Sequence, residues 1–490
     1  MKNKLVSGYP LILGYLGLFL MMIGIIVLLP LIVIFFYHIE ITEAKYFILP
    51  GVFSIIIGSL LYLFIRGKER DRLDRHQDAI LILWIWVSAI FVSSFPFILT
   101  GDYNFTQAIF ESTSGFSTTG LTVVDVTQTT HIFLMFRSIM QFFGGVGLVL
   151  VLTSAISDRY GMRLYNTEGH TDKLLPNLLK SARLILSLYI IYILVGTIFY
   201  IVFGMPVFDA FNHAIASVST GGFSTVSSSI GYYHSIPIEI VTIVLMLLGS
   251  TNIIIHIFLL KGKFKSALKH IELKLLFVLS VIFIPFMVVS IVTSTQDSLG
   301  NSIRIGIFQF VTALTTTGFQ TVDSFQSLPN FFNFSVIILM IIGGGIGSTA
   351  GGIKQYRIAI AIKHLSWNFR DRISHKKTIH TDFVNRFGKN TVISDQDVNN
   401  NYAHIMMYLS VLVIGTLIFT AYGNSLRDSL FEFSSALGTV GLSIGIIGYN
   451  SPVVLLWTST IGMFLGRLEF YVIFIALTKM ILDISNKKVL

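Results

Sequence analysis

The chain has 490 residues, of which 53% are hydrophobic and 12% are charged. Because an ordinary soluble domain carries about 25% charged residues, this composition excludes a soluble globular fold and indicates an integral membrane protein. The chain contains no cysteine, which excludes disulfides and thiolate metal sites.

The net charge of +9 raises the question of nucleic-acid binding, but the basic residues are concentrated where membrane topology explains them. Four segments hold 24 of the 34 Lys and Arg residues, namely 66–75, 159–183, 261–274 and 354–389. Four other segments hold none, namely 121–136, 223–237, 319–333 and 442–457. Cytoplasmic loops carry an excess of Lys and Arg, so the first set is predicted to be cytoplasmic and the second external. No nucleic-acid partner is predicted.

Two long apolar runs open the chain, at residues 11–36 and 46–65. Both approach the ~20 residues that a spanning helix needs. The first run exceeds the ~7–15 apolar residues of a signal peptide, and no small-residue cleavage pattern follows it, so we expect it to be retained. Residues 1–70 are therefore predicted to form a transmembrane hairpin embedded in lipid.

After the hairpin, a long apolar run, a short semi-polar segment and a second long apolar run recur four times, with a period of roughly 100 residues. The predicted units are 71–160, 161–265, 266–390 and 391–490. The first runs are 79–99, 184–203, 275–292 and 404–421, and the second runs are 132–155, 238–260, 331–362 and 453–481. The sequence thus predicts an all-α integral membrane protein of about 10 spanning helices. In it, four M1-P-M2 pore-loop repeats follow the hairpin and surround one pore.

The four short segments align without gaps on a glycine, with threonine two residues before it and Leu or Phe directly after it. Close helix packing gives no reason to fix this order, so we favour an ion-conducting loop over a packing motif. Rings of backbone carbonyls can replace the water shell of K⁺, and glycine adopts the positive φ that aims successive carbonyls. The predicted K⁺ filter consists of Thr118, Thr119, Gly120, Thr220, Gly221, Gly222, Thr316, Thr317, Gly318, Thr439, Val440 and Gly441.

Residues 341–353 hold six glycines, and a helix loses about 1 kcal/mol for each glycine that replaces alanine. The helix is therefore predicted to break within the membrane. A flexible gate below the filter is one interpretation, and a close-packing surface is the other. The candidate gate residues are Gly343, Gly344, Gly345, Gly347, Ser348, Thr349, Gly351, Gly352, Lys354 and Arg467.

Arg467 and Glu469 lie inside the last apolar run, where ionisable side chains are costly and are functional candidates. Arg467 is predicted to face the pore, and an ion pair with Glu469 or another acid is the alternative. Arg137 and Gln141 are predicted nearer a membrane face, where Arg137 can snorkel. Glu111, Gln309 and Glu432 share the position nine residues before the glycine, where packing or capping of the short helix is the favoured interpretation over ion binding.

The motifs STTGLT, STGGFST, TTTGF, GGGIGSTAGGIK and FLGRLE resemble those of the Trk/Ktr/HKT superfamily of potassium transporters, over nearly the whole chain. The opening hairpin resembles the bacterial TrkH type. This resemblance implies K⁺ uptake across a bacterial cytoplasmic membrane, a gate at residues 343–352 and a narrowing at Arg467. It also implies a homodimer on a cytosolic ring of nucleotide-binding TrkA-like subunits, and no covalently bound cofactor. One departure is GTVG in the fourth repeat, where TrkH-type members typically have an asparagine-containing segment.

The basic segment 354–389 is a candidate docking surface for that ring, and a loop that only sets topology is the alternative. A sodium-permeable transporter of the same superfamily is a second function, against which Gly120 argues. A secondary transporter coupled to H⁺ or Na⁺ normally has inverted repeats and buried acids, which these four repeats of one orientation do not indicate. The sequence shows no nucleophile–base pair, metal-ligand cluster or P-loop, so no enzyme is predicted.

Overall fold

The computed structural model describes residues 8–66, 76–147, 178–295, 298–375 and 381–485. Within these ranges the α-helices are α1 Tyr9–Leu28, α2 Ala44–Leu63, α3 Gln77–Thr100, α4 Phe105–Phe116, α5 His131–Val146, α6 Leu178–Val202, α7 Val207–Val218, α8 Ile236–Ser250, α9 Ile253–Leu260, α10 Phe264–Leu268, α11 Ile271–Thr295, α12 Leu299–Leu314, α13 Asn330–Ile342, α14 Gln355–Ile373, α15 Asp395–Ala421, α16 Leu426–Leu437, α17 Val453–Arg467 and α18 Tyr471–Ser485. Short 3-10 helices lie at Leu29–Phe35, His38–Glu43, Ser229–Tyr233 and Phe325–Ser327. Strands β1 (Phe383–Arg386) and β2 (Lys389–Val392) pair antiparallel.

By length and composition, the described residues contain six helices that can cross a membrane. They are Tyr9–Phe35, His38–Leu63, Gln77–Thr100, Ala182–Val202, Ile271–Ser294 and Asp395–Ala421. The number rises to eight if the bent pairs α8–α9 and α17–α18 each count as one span. The apolar helices α5 and α13 have 16 and 13 residues, fewer than the ~20 of a full span. The expected number of about ten therefore stays a prediction.

The opening hairpin is α1 packed against α2 through small residues. A Cβ added to Gly17 would lie 2.6 Å from the carbonyl oxygen of Gly58, and one added to Gly24 would lie 2.6 Å from that of Gly51. Glycines therefore let the two helix backbones approach closely, as in other membrane helix pairs. The Tyr9 hydroxyl donates a hydrogen bond to Asp483 (3.0 Å) and joins the hairpin to α18.

A helix of 12–16 residues followed by a turn and an extended stretch lies between two other helices at four places in the chain. The short helices are α4, α7, α12 and α16, with 12, 12, 16 and 12 residues. Twelve residues at about 1.5 Å each extend ~18 Å, which is too short to cross a ~30 Å hydrocarbon core. Side-chain caps start three of them, because Asn104, Ser298 and Ser425 each accept a hydrogen bond from the backbone N–H three residues on.

Three of the four apolar runs that follow the short helices are interrupted within the described residues, whereas the sequence predicted an interruption only in the third unit. The chain bends by 109° between α8 and α9 and by 100° between α17 and α18, so the expectation of continuous runs at 238–260 and 453–481 is wrong. The Asn252 side chain caps α9 by accepting from Ile254 N (2.8 Å), and Glu469 adopts a φ of 49° at the second bend. In the first unit, helix α5 ends at Val146, and residues 148–155 of the predicted second run (132–155) lie outside the described residues.

Candidate functional site

The four Thr–Gly loops, residues 118–120, 220–222, 316–318 and 439–441, share one unusual backbone conformation. The first residue of each loop is a threonine, and these four threonines have φ of 55°, 51°, 52° and 51°. The glycines that end the loops have φ of 93°, 70°, 88° and 92°. A β-branched residue in this left-handed region is a genuine outlier that costs about 1–2 kcal/mol. Its recurrence in all four loops is the kind of stored strain that marks functional sites.

The end of each short helix holds the loop that follows it. In the first unit, Thr118 N donates to the carbonyl of Gly115 (3.1 Å) and Thr119 N donates to that of Ser114 (2.9 Å). The same two bonds recur in the other units, from Thr220 and Gly221, from Thr316 and Thr317, and from Thr439 and Val440. The negative ends of four helix dipoles therefore lie at the loops, which favours a cation there.

The four loops close a ring. A Cβ added to Gly120 would lie closer than 3.0 Å to the carbonyl oxygen of Gly221 in the next loop, and the same holds for the other three loop-ending glycines. In chain order the remaining neighbours are Gly222 with Thr317, Gly318 with Val440, and Gly441 with Thr119. The last contact returns to the first loop, so each loop touches the next around one axis. Only glycine fits at these four positions without displacing a neighbouring carbonyl.

The polar position nine residues before each of these glycines contacts the stretch that follows the loop. Glu111 accepts from the Thr122 hydroxyl (2.9 Å) and from Val123 N (3.1 Å). The corresponding contacts are His213 Nε2 to Ser224 Oγ (3.0 Å), Gln309 Nε2 to Thr321 Oγ1 (3.5 Å) and Glu432 to the Ser443 hydroxyl (2.7 Å). These side chains tie the outgoing chain to the short helix, in line with the packing interpretation. In the second unit this position is held by His213, which the sequence analysis did not single out.

Arg137 and Gln141 are buried, so the expectation that Arg137 snorkels to a membrane face is wrong. Arg137 forms an ion pair with Glu111 (Nε to Oε1, 2.8 Å). The Gln141 side-chain amide donates to the carbonyl of Gly221 (2.5 Å). The reason is that α5 is a short helix packed on α4 and α7, so its polar residues reach the depth of the loops.

The Gly-rich loop, residues 343–354, runs from the end of α13 to the start of α14, which confirms the predicted helix break. Gly343, Gly347, Gly352 and Lys354 adopt φ of 72°, 66°, 76° and 85°. The loop touches the Thr–Gly loops directly. Thr349 Oγ1 lies 2.9 Å from Thr220 Oγ1, and Gly351 N donates to the Thr316 hydroxyl (2.7 Å). The buried Lys354 ammonium folds back and donates to the carbonyl of Ala350.

Arg467 reaches the Gly-rich loop from the end of α17. Its guanidinium donates to the carbonyl of Thr349 (2.8 Å) and to the carbonyls of Gly144 and Gly145 at the end of α5. Glu469 pairs instead with Arg357 on α14 (2.6 Å). The alternative of an Arg467–Glu469 ion pair is therefore not what the structure contains, and Arg467 joins the first and third units.

On the opposite side of the ring, a cavity of about 410 Å³ is lined by Gly120, Gly222, Gly318 and Gly441 together with Asp125, Asp323 and Arg137. Hydrogen bonds from the hydroxyl and the amide of Thr127 lower the pKa of the exposed Asp125 below its ordinary value. This carboxylate therefore stays charged at the predicted external face. No cluster of His, Cys, Asp or Glu that could hold a metal ion occurs among the described residues.

The apolar helices and the ring of four Thr–Gly loops define a multi-pass integral membrane protein with a polar site enclosed between its helices. The chain belongs to the TrkH family of cation transport proteins, whose sequence profile matches residues 43–488. This membership confirms the expected family, the location in a cell membrane, and a transporter in place of an enzyme.

The potassium uptake protein TrkG of Escherichia coli K12 is 32% identical over 91% of this chain and 93% of its own length. An uncharacterized cation transporter of Methanocaldococcus jannaschii is 30% identical over 94% of this chain and 93% of its own length. The crystal structure of the potassium transporter TrkH from Vibrio parahaemolyticus superposes with a TM-score of 0.84, at 22% identity, over 96% of this chain and 98% of that one. This last likeness shows the shared fold.

Proposed function

We propose that the protein takes up K⁺ across the cytoplasmic membrane through a selectivity filter formed by the four Thr–Gly loops. The observation that carries the proposal is the closed ring. In it, the last glycine of each loop lies against the carbonyl oxygen of the middle residue of the next loop. Rings of carbonyls are what a dehydrated K⁺ requires. The printed function of the relative TrkG, potassium uptake, supports the choice of ion.

The filter uses backbone oxygens, so the side chain in the middle of each loop matters little for coordination. Val440 occupies this position in the fourth loop and is fully buried. The carbonyl oxygen of Val440 lies next to Gly318, in the same way that the carbonyl oxygen of Thr317 lies next to Gly222. The atypical fourth segment therefore supplies the same oxygens as the other three, and K⁺ selectivity does not require asparagine there.

The Gly-rich loop and Arg467 act as the gate in this proposal. Thr349 and Gly351 contact filter threonines from two units, and the Arg467 guanidinium binds the carbonyl of Thr349 from a third side. Lys354, which is buried, and Arg467, which is half-buried, add positive charge below the filter, where it repels a permeating cation. Opening then requires the loop to exchange these hydrogen bonds for water.

The gate is regulated from the cytosol by a nucleotide-binding ring that carries a homodimer of this chain. Helix α14 and the hairpin of β1 and β2 extend the Gly-rich loop into the basic segment 354–389. In this segment, Arg370 lies on helix α14 and Arg386 lies on strand β1 of the hairpin. Helix α14 connects a partner bound at either element to the Gly-rich loop. Residues 376–380 lie outside the described residues.

The experiment that tests this function is ion-replacement flux in reconstituted vesicles. Uptake of K⁺ would be measured with Na⁺ present in excess, with and without a pH or Na⁺ gradient. Selective uptake driven by the K⁺ gradient alone is expected. Equal Na⁺ uptake would favour the sodium-permeable alternative, and strict dependence on a second gradient would favour a coupled transporter.

A further inference from the structure

The ion pair of Glu111 and Arg137 lies within the first unit, beside the outer cavity, and Arg137 also reaches Ser224 in the second unit. Arg137 Nε donates to Glu111 Oε1 (2.8 Å), and only 2% and 1% of the two side chains are exposed. A buried ion pair is weak evidence for stability, because the loss of hydration offsets most of the attraction. The pair therefore calls for an explanation other than holding the fold together.

The guanidinium of Arg137 contacts the chain that leaves two different loops. Nη2 donates to the Thr122 hydroxyl (3.1 Å), two residues after Gly120, and Nη1 donates to the carbonyl of Ser224 (3.3 Å), in the second unit. The guanidinium carbon lies 3.9 Å from the centre of the Phe223 ring. A planar fork with several donors fixes such an arrangement better than an ammonium, because its donors have a rigid geometry.

The pair has no counterpart in the other described units. Glu432 at the equivalent position accepts from Ser443, Ile444 and Ile447, and no Lys or Arg side chain pairs with it among the described residues. Arg137 also lines the outer cavity, next to all four loop-ending glycines. A cation approaching the ring therefore passes a buried guanidinium whose charge is compensated by Glu111.

We propose that the Glu111–Arg137 pair is a positioning device with two separable effects on the permeating cation. The guanidinium fork sets the spacing between the first and second loops and so sets the ratio of K⁺ to Na⁺ uptake. The carboxylate neutralises the guanidinium at the cavity wall and so keeps the affinity for K⁺ high. The proposal rests on the proposed K⁺ filter and assigns two positioning residues to it.

Charge variants test the electrostatic part by sign. Glu111→Gln leaves the guanidinium uncompensated and is expected to raise the KM for K⁺ by about tenfold. Arg137→Gln leaves a carboxylate instead and is expected not to raise the KM. The double variant removes both charges, and its KM is expected to be close to that of the parent. Its K⁺/Na⁺ ratio is expected to be lower than that of the parent, because the guanidinium fork is also absent. Equal increases of KM in both single variants would overturn the electrostatic part.

Charge-neutral variants test the geometric part and serve if Glu111→Gln does not fold. Arg137→Lys keeps the charge but loses the fork, and Thr122→Val removes the hydroxyl that accepts from Arg137 and donates to Glu111. Both are expected to keep the parent KM and to lower the K⁺/Na⁺ ratio about threefold or more. A parent ratio in both variants would overturn the geometric part.

The matched control is Glu239→Gln, which breaks an ion pair with Arg304 (2.5 Å) outside the cavity and changes the charge by the same amount. Its KM and K⁺/Na⁺ ratio are expected to equal those of the parent. The parent protein separates this inference from the proposed function. If the parent shows no selective K⁺ uptake, the filter itself is wrong; if it does and the variants match the parent, only the positioning role is wrong.

Discussion

The Thr–Gly loops and the segments below them differ in how evenly the four units contribute. All four loops have threonine in the left-handed region, the same two hydrogen bonds to the short helix, and the same contact to the next loop. Below the ring, the described residues contain one Gly-rich loop, from the third unit, and Arg467, from the fourth, which binds it. A ring of carbonyls needs equal parts from each unit, whereas one obstructing element is enough to close a single pore.

The largest effect is expected from a substitution in the Thr–Gly loops, to which the four units contribute equally. Gly318→Ser adds a Cβ against the carbonyl of Val440 at a φ of 88°. The strain of a side chain in this region costs about 1–2 kcal/mol and overpacking adds ~1–3 kcal/mol, so the K⁺/Na⁺ ratio should fall about a hundredfold. Gly120→Ser should act in the same direction. Uptake of both ions would be compared in a strain that lacks other K⁺ systems.

The control is Gly300→Ser, because an added Cβ there meets nothing within 4 Å. Parent selectivity in both filter variants, with normal amounts in the membrane, would mean that the four loops do not form the filter.

Deleting residues 345–351 tests the Gly-rich loop, which comes from one unit. It removes Thr349 and Gly351 and hence three hydrogen bonds that hold the loop beneath the ring. At about 1 kcal/mol each, their loss should raise K⁺ flux about a hundredfold and weaken its dependence on the cytosolic partner. Flux and ion ratio would be measured together, with the ratio expected to stay at the parent value. A folded deletion protein that conducts no faster would identify the segment as a packing surface.

Arg467→Ala should have the same sign and a smaller size. It removes charge-assisted hydrogen bonds to the carbonyls of Thr349 and Gly144, worth about 1.5–3 kcal/mol, part of which water restores, so flux should rise about tenfold. Because Glu469 pairs with Arg357, this variant should keep its thermal stability in detergent. A destabilised protein without a gain in flux would assign Arg467 to the fold instead of the gate.

The smallest effect concerns the outer cavity. Asp125→Asn removes an exposed carboxylate, and the KM for K⁺ should rise only about twofold because salt screens such charges. Since Thr127 lowers the pKa of Asp125, its charge persists as the external pH falls from about 7 to about 5, and the KM should stay level over this interval. A KM that rises steeply there in the parent and not in Asp125→Asn would contradict the lowered pKa.

The sequence predicted the loops and the break between α13 and α14 because both leave local patterns, Thr before Gly in one case and dense glycine in the other. It missed the bends at Asn252 and Glu469 because each pair of helices is together long and apolar enough to be interpreted as one span. The polar tetrapeptides Gly-Ser-Thr-Asn at 249–252 and Gly-Arg-Leu-Glu at 466–469 were the available signals. It did not predict the burial of Arg137, because burial depends on tertiary packing and its partner Glu111 lies 26 residues away on another helix. For this contact, the recurring polar residue nine positions before each glycine was the one available signal.

Reversal potentials test whether the four Thr–Gly loops form one K⁺-selective filter. The deletion of residues 345–351 would keep the pore open in a planar bilayer with K⁺ on one side and an equal concentration of Na⁺ on the other. The account predicts a large reversal potential of the sign that K⁺ permeation requires, collapsing toward zero when Gly318→Ser is added. A reversal potential near zero in the deletion protein alone, or one that Gly318→Ser leaves unchanged, would contradict it.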